Sequence, residues 1–133
     1  EGAQDLAIVR ELEKRSKCEV TVIEGGSARY LKGLFTDATL VIASRFHALV
    51  SSLTQCVPVI GTGWSHKYEG LFADFGVSEY LVDAGAETSE YLSRVESLLD
   101  SNDRISAVSR IEKGMNHYKA TTREMWEGLK KVL

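Results

Sequence analysis

The sequence is poor in the residues that usually staple or punctuate a chain. Its two cysteines, Cys18 and Cys56, lie far apart and form no CxxC pair, so neither a zinc site nor a redox dithiol is indicated. Cys18 precedes one apolar run and Cys56 follows another, and both are expected to be buried or half-buried thiols of a reducing compartment. Pro58 is the single proline, and the 11 glycines are not gathered into a linker, a repeat or a low-complexity tract. No domain boundary inside the chain is therefore indicated. No apolar run approaches a membrane span, and the N-terminus lacks the layout of a signal peptide, which leads us to expect a soluble, cytoplasmic protein without a transmembrane segment. There is no Lys/Arg-rich run or basic-aromatic stripe to offset the net charge of −3, which argues against nucleic acid as a partner. A small basic pocket for an anionic molecule remains compatible with that balance. HExxH, GxSxG and any cluster with metal-ligand spacing are also missing, giving no sign of a metal or a serine nucleophile.

What is present suits one globular α/β domain. The 133 residues are 44% hydrophobic and 26% charged, enough for a single core and too few for two. Leu6, Val9 and Leu12 recur at helical spacing, predicting a helix over 4–16. The β-branched run 19–23 reads as a strand ending at Gly25-Gly26. Ser27 is placed to cap a helix over 27–37 with Leu31, Leu34 and Phe35 inward. Residues 39–43 are apolar without alternation, as in a strand buried on both faces. A helix from Ser44 carries Leu49, Val50 and Leu53; a strand over 58–60 closes at Gly61-Thr62-Gly63; a helix over 65–75 stops at Gly76. A strand over 79–83 and a helix from Thr88 or Ser89 with Leu92, Val95 and Leu99 follow. A long helix then starts at 101–103, with a seam of Ile105, Val108, Ile111, Met115, Tyr118, Met125, Leu129 and Val132. Such alternation predicts a Rossmann-like open parallel sheet with right-handed crossovers and helices on both faces. The opening helix, where a central strand is usual, and the apolar far end of the last helix suggest a piece of a longer protein whose partner domain is absent.

In open parallel sheets ligands bind outside the carboxyl ends of the strands. Two segments carry unusual chemistry there. Ser44-Arg45-Phe46-His47 follows the strand over 39–43. With Ser44 as the cap, Arg45 and His47 fall in the first helical turn, where free N–H groups and the helix dipole favour an anion. Arg45 offers a planar charged fork for carboxylate or phosphate, and His47 a proton donor or acceptor. Taken singly, Ser44 reads as a cap, Phe46 as core and His47 as structural. Two cations at a helix N-terminus are nevertheless unfavourable unless an acidic side chain or a ligand compensates. The second segment, Gly61-Thr62-Gly63-Trp64-Ser65-His66-Lys67-Tyr68-Glu69-Gly70, combines glycines that permit close backbone approach with Ser65, His66 and Lys67 as donors. Strand-to-helix sterics, surface exposure of Lys67, packing of Trp64 and a first-turn role for Glu69 would explain the same residues without a ligand. The spacing fits neither a dinucleotide GxGxxG nor a P-loop, so no cofactor is indicated. His117 is expected to face solvent, and Asp74 and Asp83 have no partner that spacing identifies.

The blocks Ala-Thr-Leu-Val-Ile-Ala-Ser-Arg-Phe-His-Ala-Leu-Val (38–50), Val-Pro-Val-Ile-Gly (57–61), Ser-His-Lys-Tyr-Glu-Gly (65–70) and Tyr-Leu-Val-Asp (80–83) together resemble the polysaccharide pyruvyl transferase family over the central third of the chain. The resemblance implies the C-terminal domain of a GT-B-like enzyme in which two Rossmann-like domains face a cleft. It also implies phosphoenolpyruvate as donor substrate, and a sugar of a cell-surface polysaccharide or glycan, free or lipid-linked, as acceptor. Peripheral membrane association is compatible with such an acceptor. Carried onto matching positions, it implies that Arg45 binds the donor's carboxylate or phosphate and that His47 is the acid/base. Ser44, Phe46, Gly61, Thr62, Gly63, Ser65, His66 and Lys67 would then line the substrate site. Two other readings stay open: a nucleotide-sugar glycosyltransferase domain of GT-B form, and a non-catalytic glycan- or anion-binding module.

Overall fold

The structure, a computed structural model, describes residues 2–63 and 65–132; Trp64, expected above to pack, lies outside the described residues. Three short runs, two of them rich in β-branched residues, pair into an open sheet. β1 (Val41–Ala43), β2 (Val59–Gly63) and β3 (Leu81–Asp83) lie in the order β1-β2-β3. Both pairings are parallel, with Val41 opposite Val59, and Gly61 opposite both Ala43 and Leu81. The helices are α1 (Gly2–Arg15), α2 (Ala28–Leu34), α3 (Phe46–Leu53), α4 (His66–Asp74), α5 (Thr88–Leu99) and α6 (Ser101–Lys130). Short 3-10 turns occupy Phe35–Asp37 and Ser78–Tyr80.

The core forms where helical spacing meets the sheet. Leu49 and Leu53 of α3, Phe72 of α4 and Ile60 and Val82 of the strands are completely buried, and Leu98, Ala107 and Ile111 join them from α5 and α6. A Cβ on Gly61 would meet Phe72 from α4 and Leu49 from α3, so both helices pack on the same face of β2. α4 ends as a Schellman motif. Gly76 takes φ +67, its N–H bonds the Ala73 carbonyl, and the Val77 N–H bonds that of Phe72. The buried Val77 and Phe72 side chains supply the motif's apolar contact. Asp100 both ends α5 and caps α6, its carboxylate accepting from the Asn102 and Asp103 N–H groups. Farther along α6, the Tyr118 hydroxyl donates to Asp74 and its ring stacks on Phe75 at 5.4 Å. Asp74 thus has a partner that spacing did not reveal. That bond, then burial, then the Asp74 charge push the Tyr118 phenol up to about 12.

Several sequence expectations are corrected. The predicted strand over 19–23 is irregular, and Val20 and Ile23 are exposed, because its backbone gains no ladder partner among the described residues. β1 is an edge strand buried on one face only, with Ile42 59% exposed. The strand expected from Glu79 begins at Leu81, after a 3-10 turn. The helix from Ser27, whose hydroxyl does cap it by accepting from the Tyr30 N–H, ends at Leu34 and leaves Leu31 and Leu34 exposed; Phe35 is half-buried. In α1, Leu6, Val9 and Leu12 are exposed, and in α5 the core residue is Leu98, with Leu92 and Leu99 outside. Along α6, Ile105 and the positions from Tyr118 onward are exposed. Cys18 is exposed and Cys56 half-buried. His117 is exposed, as expected. None of the described helices is long and apolar enough to cross a membrane.

Candidate active site

Parallel strands deliver their carboxyl ends, and the N-termini of the helices that follow, to one edge. At that edge β1 leads into α3 and β2 into α4. The cap of α3 is Arg45 rather than Ser44. Arg45 has extended backbone at φ −83 and ψ 124, and its carbonyl accepts from the Ala48 and Leu49 N–H groups. Ser44 stands one residue ahead of the cap, and the Arg45 side chain itself makes no capping bond. The first turn therefore contains Phe46 and His47 but not Arg45. The N–H groups of Phe46 and His47 precede the first intrahelical bonds.

Arg45 has a carboxylate beside it already. One guanidinium nitrogen, Nη2, lies 2.8 Å from Oδ2 and 3.1 Å from Oδ1 of Asp5, in the first turn of α1. The acidic compensation that the dipole argument demanded is thus supplied from 40 residues upstream. Both side chains are more than half exposed, so the pair is worth at most about 1 kcal/mol and can be exchanged for another anion. Asp5 also borders an open cleft of about 310 Å³, whose other walls include Leu6, Val9, Val22 and Ile23.

In the second segment the glycines belong to the strand. Gly61 and Gly63 lie within β2, paired to Leu81 and Asp83, with Thr62 between them opposite Val82. A Cβ on Gly61 would stand 2.6 Å from Cζ of Phe72, and one on Gly63 would stand 2.6 Å from Cγ of Tyr68. The close approach that glycine permits here is made by aromatic rings of α4. Ser65 holds the cap position of α4 without a side-chain capping bond, and its buried hydroxyl finds no partner among the described residues. His66 and Lys67 are exposed; the His66 imidazole Nδ1 lies 3.0 Å from the Glu69 carboxylate, one turn along.

Two sequence blocks meet through rings. Phe46 packs edge-on against Tyr68, centroids 5.4 Å apart at 83°, the arrangement favoured by aromatic quadrupoles. The Lys67 ammonium lies 5.0 Å from the Phe46 centroid and 5.3 Å from that of Tyr68, within cation–π range. The His47 ring stands 6.3 Å from Phe46. Lys67 and His47, 20 positions apart, are thus gathered around one half-buried phenylalanine. Asp83, at the end of β3, is turned to local work, accepting from the Gly85 N–H at 2.8 Å. With Glu69 it gives acidic walls to a separate cleft of about 390 Å³, which is a poor place for an anion. Among the described residues no group of three or more His, Cys, Asp or Glu side chains is assembled.

Tyr68 escaped the sequence reading, although a signal was there. Tyr68, Phe72 and Phe75 are spaced by four and three, the signature of a buried helix face, and all three are buried.

A small open parallel sheet with helix N-termini at its carboxyl edge defines the class, a mixed α/β domain. Within that class, residues 1–66 match the family model described as polysaccharide pyruvyl transferase, and over that matched half the chain belongs to that family. The match includes the whole Ser44–His47 turn and reaches His66, ending before Lys67. At family level the match supports transferase activity in polysaccharide biosynthesis. No curated protein and no solved structure gives a significant match.

Proposed function

We propose that this domain handles the donor in pyruvyl transfer from phosphoenolpyruvate to a sugar hydroxyl of a polysaccharide or glycan. The observation that carries the reading is the gathering of Lys67 and His47 around Phe46, next to Arg45, within the family-matched segment or one residue beyond it. Phosphoenolpyruvate carries a carboxylate and a phosphate, so it needs at least two cationic contacts. Arg45 would take one by exchanging Asp5, and the α3 N-terminus and Lys67 would take the other. Ser44, Thr62, Ser65 and His66 stand around this edge as further polar groups for donor or acceptor. Gly61 and Gly63 shape it by letting α4 approach.

In this reading His47 gives a proton to the methylene carbon of phosphoenolpyruvate, which becomes a methyl group, and positive charge develops at C2. A sugar hydroxyl attacks C2 and gives its proton to a base. The bond from C2 to the phosphate oxygen then breaks and inorganic phosphate leaves. A second hydroxyl of the same sugar closes the ketal at C2 and loses its own proton. The chain needs no resident cofactor for this, since phosphoenolpyruvate is the substrate. A GT-B-like architecture, with a second Rossmann-like domain forming the other wall of the cleft and contributing acceptor contacts, would complete the site.

The natural full-length chain, supplied with phosphoenolpyruvate and a panel of glycans, is expected to release phosphate and form a pyruvate ketal detectable by mass spectrometry. His47→Ala should lower phosphate release by about 100-fold or more, as for loss of a general acid. Wild-type protein that leaves phosphoenolpyruvate intact with every acceptor, while turning over a sugar nucleotide, would replace this reading with glycosyl transfer. Binding without turnover of either donor would make the domain a recognition module.

A further inference from the structure

Tyr68 occupies a singular position between the two sequence blocks. It is 5% exposed. Its backbone N–H bonds the Ser65 carbonyl at 2.9 Å, closing the first turn of α4. Its hydroxyl donates to the Ser44 carbonyl at 3.3 Å, and that carbonyl belongs to the peptide group whose N–H is Arg45's. Its ring lies against Gly63 and packs edge-on against Phe46. One side chain therefore touches the residue before the cap of α3, the first residue of α3 and the last residue of β2.

We propose that Tyr68 is a positioning residue that holds the Ser44–His47 turn in register with the start of α4. This rests on the reading above only in giving that register a catalytic purpose. The Ser44–Arg45 peptide plane decides where the Arg45 guanidinium departs from the chain and how the α3 N-terminus is aimed. Two features fix that plane from the α4 side: the Tyr68 hydroxyl and the ring contact with Phe46. Lys67, adjacent in sequence, is carried to the same place by the same ring.

Tyr68→Phe keeps both ring contacts and deletes only the hydroxyl. Tyr91→Phe is the matched control, because the Tyr91 hydroxyl donates to a strand-end carbonyl as well, that of Asp83 at 2.8 Å. Hydrogen exchange of the natural full-length protein should show the Ala48 and Leu49 amides, which bond the Arg45 carbonyl, exchanging about fivefold faster in Tyr68→Phe. They should be unchanged in Tyr91→Phe, and amides of α6 unchanged in both. Turnover should show a KM for phosphoenolpyruvate raised by about fivefold, with a smaller change in kcat. Unaltered exchange at Ala48 and Leu49, or an equal rise in both variants, would overturn the positioning role. Failure of the wild type to use phosphoenolpyruvate would sink the proposed reaction instead, and exchange would still decide the role of Tyr68.

Discussion

Arg45 divides its groups between two tasks, the backbone capping α3 and the side chain pairing with Asp5. As the cap of α3 it uses its carbonyl, which is bonded to Ala48 and Leu49, leaving the side chain free of capping duty. The guanidinium holds Asp5 across an exposed pair, and such pairs are screened and easily exchanged. In the proposed reading Asp5 is a tethered competitor for the carboxylate or phosphate that Arg45 would bind. Asp5→Asn is expected to tighten phosphate binding several-fold in calorimetric titration while changing the unfolding free energy by less than about 1 kcal/mol. Unchanged or weakened phosphate affinity would show that Asp5 does not compete. The same residues show what a sequence can and cannot disclose at this scale. That Arg45 and His47 stand at a helix N-terminus was legible from the strand before them and the apolar spacing after. The cap itself shifted by one residue, from Ser44 to Arg45, because Ser44's carbonyl is committed to Tyr68, 24 positions away. Asp5 could not be identified as the compensating acid, since nothing local links it to Arg45.

Among the elements, the alternation of strands and helices from residue 41 to α6 was legible, because each apolar run has its own period and its own breaker. The strand over 19–23 was not, since β-branched composition describes a willing strand and pairing needs a neighbour. Nor were the glycines of β2 legible as strand residues, because what excludes a side chain at Gly61 and Gly63 is Phe72 and Tyr68 on the next helix. Between elements, the joint of α6 to the turn before β3 has a testable electrostatic component. Arg110 donates to the Gly76 carbonyl and pairs with Glu79 at 2.6 Å. Burial pushes the Glu79 carboxyl up, but the Arg110 hydrogen bond, the backbone bond and the charges of Arg110 and Arg94 outweigh it and hold it below its ordinary value of 4.5. A carboxyl lowered in the folded state stabilises the fold fully above the unfolded value, and that stabilisation is lost as pH falls through the folded one. Urea midpoints should therefore show Glu79→Gln less stable than wild type at pH 7, with the gap closing below about pH 4. A gap constant down to pH 3 would mean that the pair does not contribute through its charge.

For the whole molecule, apolar surface is unevenly used, and α6 displays both extremes within one helix. Ile111 is 1% exposed and belongs to the core, and Met115 packs against it. Beyond Tyr118, anchored on Asp74 and Phe75, Met125, Trp126 and Leu129 extend the same seam with no core beneath them among the described residues, and Trp126 is 56% exposed. Ile42 on the open face of β1 and Leu6, Val9 and Leu12 on α1 are likewise uncovered. The hydrophobic pattern of the sequence therefore overstates what this domain buries: periodicity reports that a face is apolar and says nothing of what meets it. Stability should follow burial rather than pattern. Ile111→Ala is expected to cost about 2–5 kcal/mol, the usual range for truncating a completely buried aliphatic side chain. Trp126→Ala, despite removing a much larger side chain, should change unfolding by less than about 0.5 kcal/mol. Equilibrium urea unfolding of residues 1–133, followed by circular dichroism, compares the two directly. A Trp126→Ala cost approaching that of Ile111→Ala would mean that the far half of α6 is covered in solution by a surface that this arrangement leaves open. Near-neutrality would show that Trp126 contributes little to the folding of this domain.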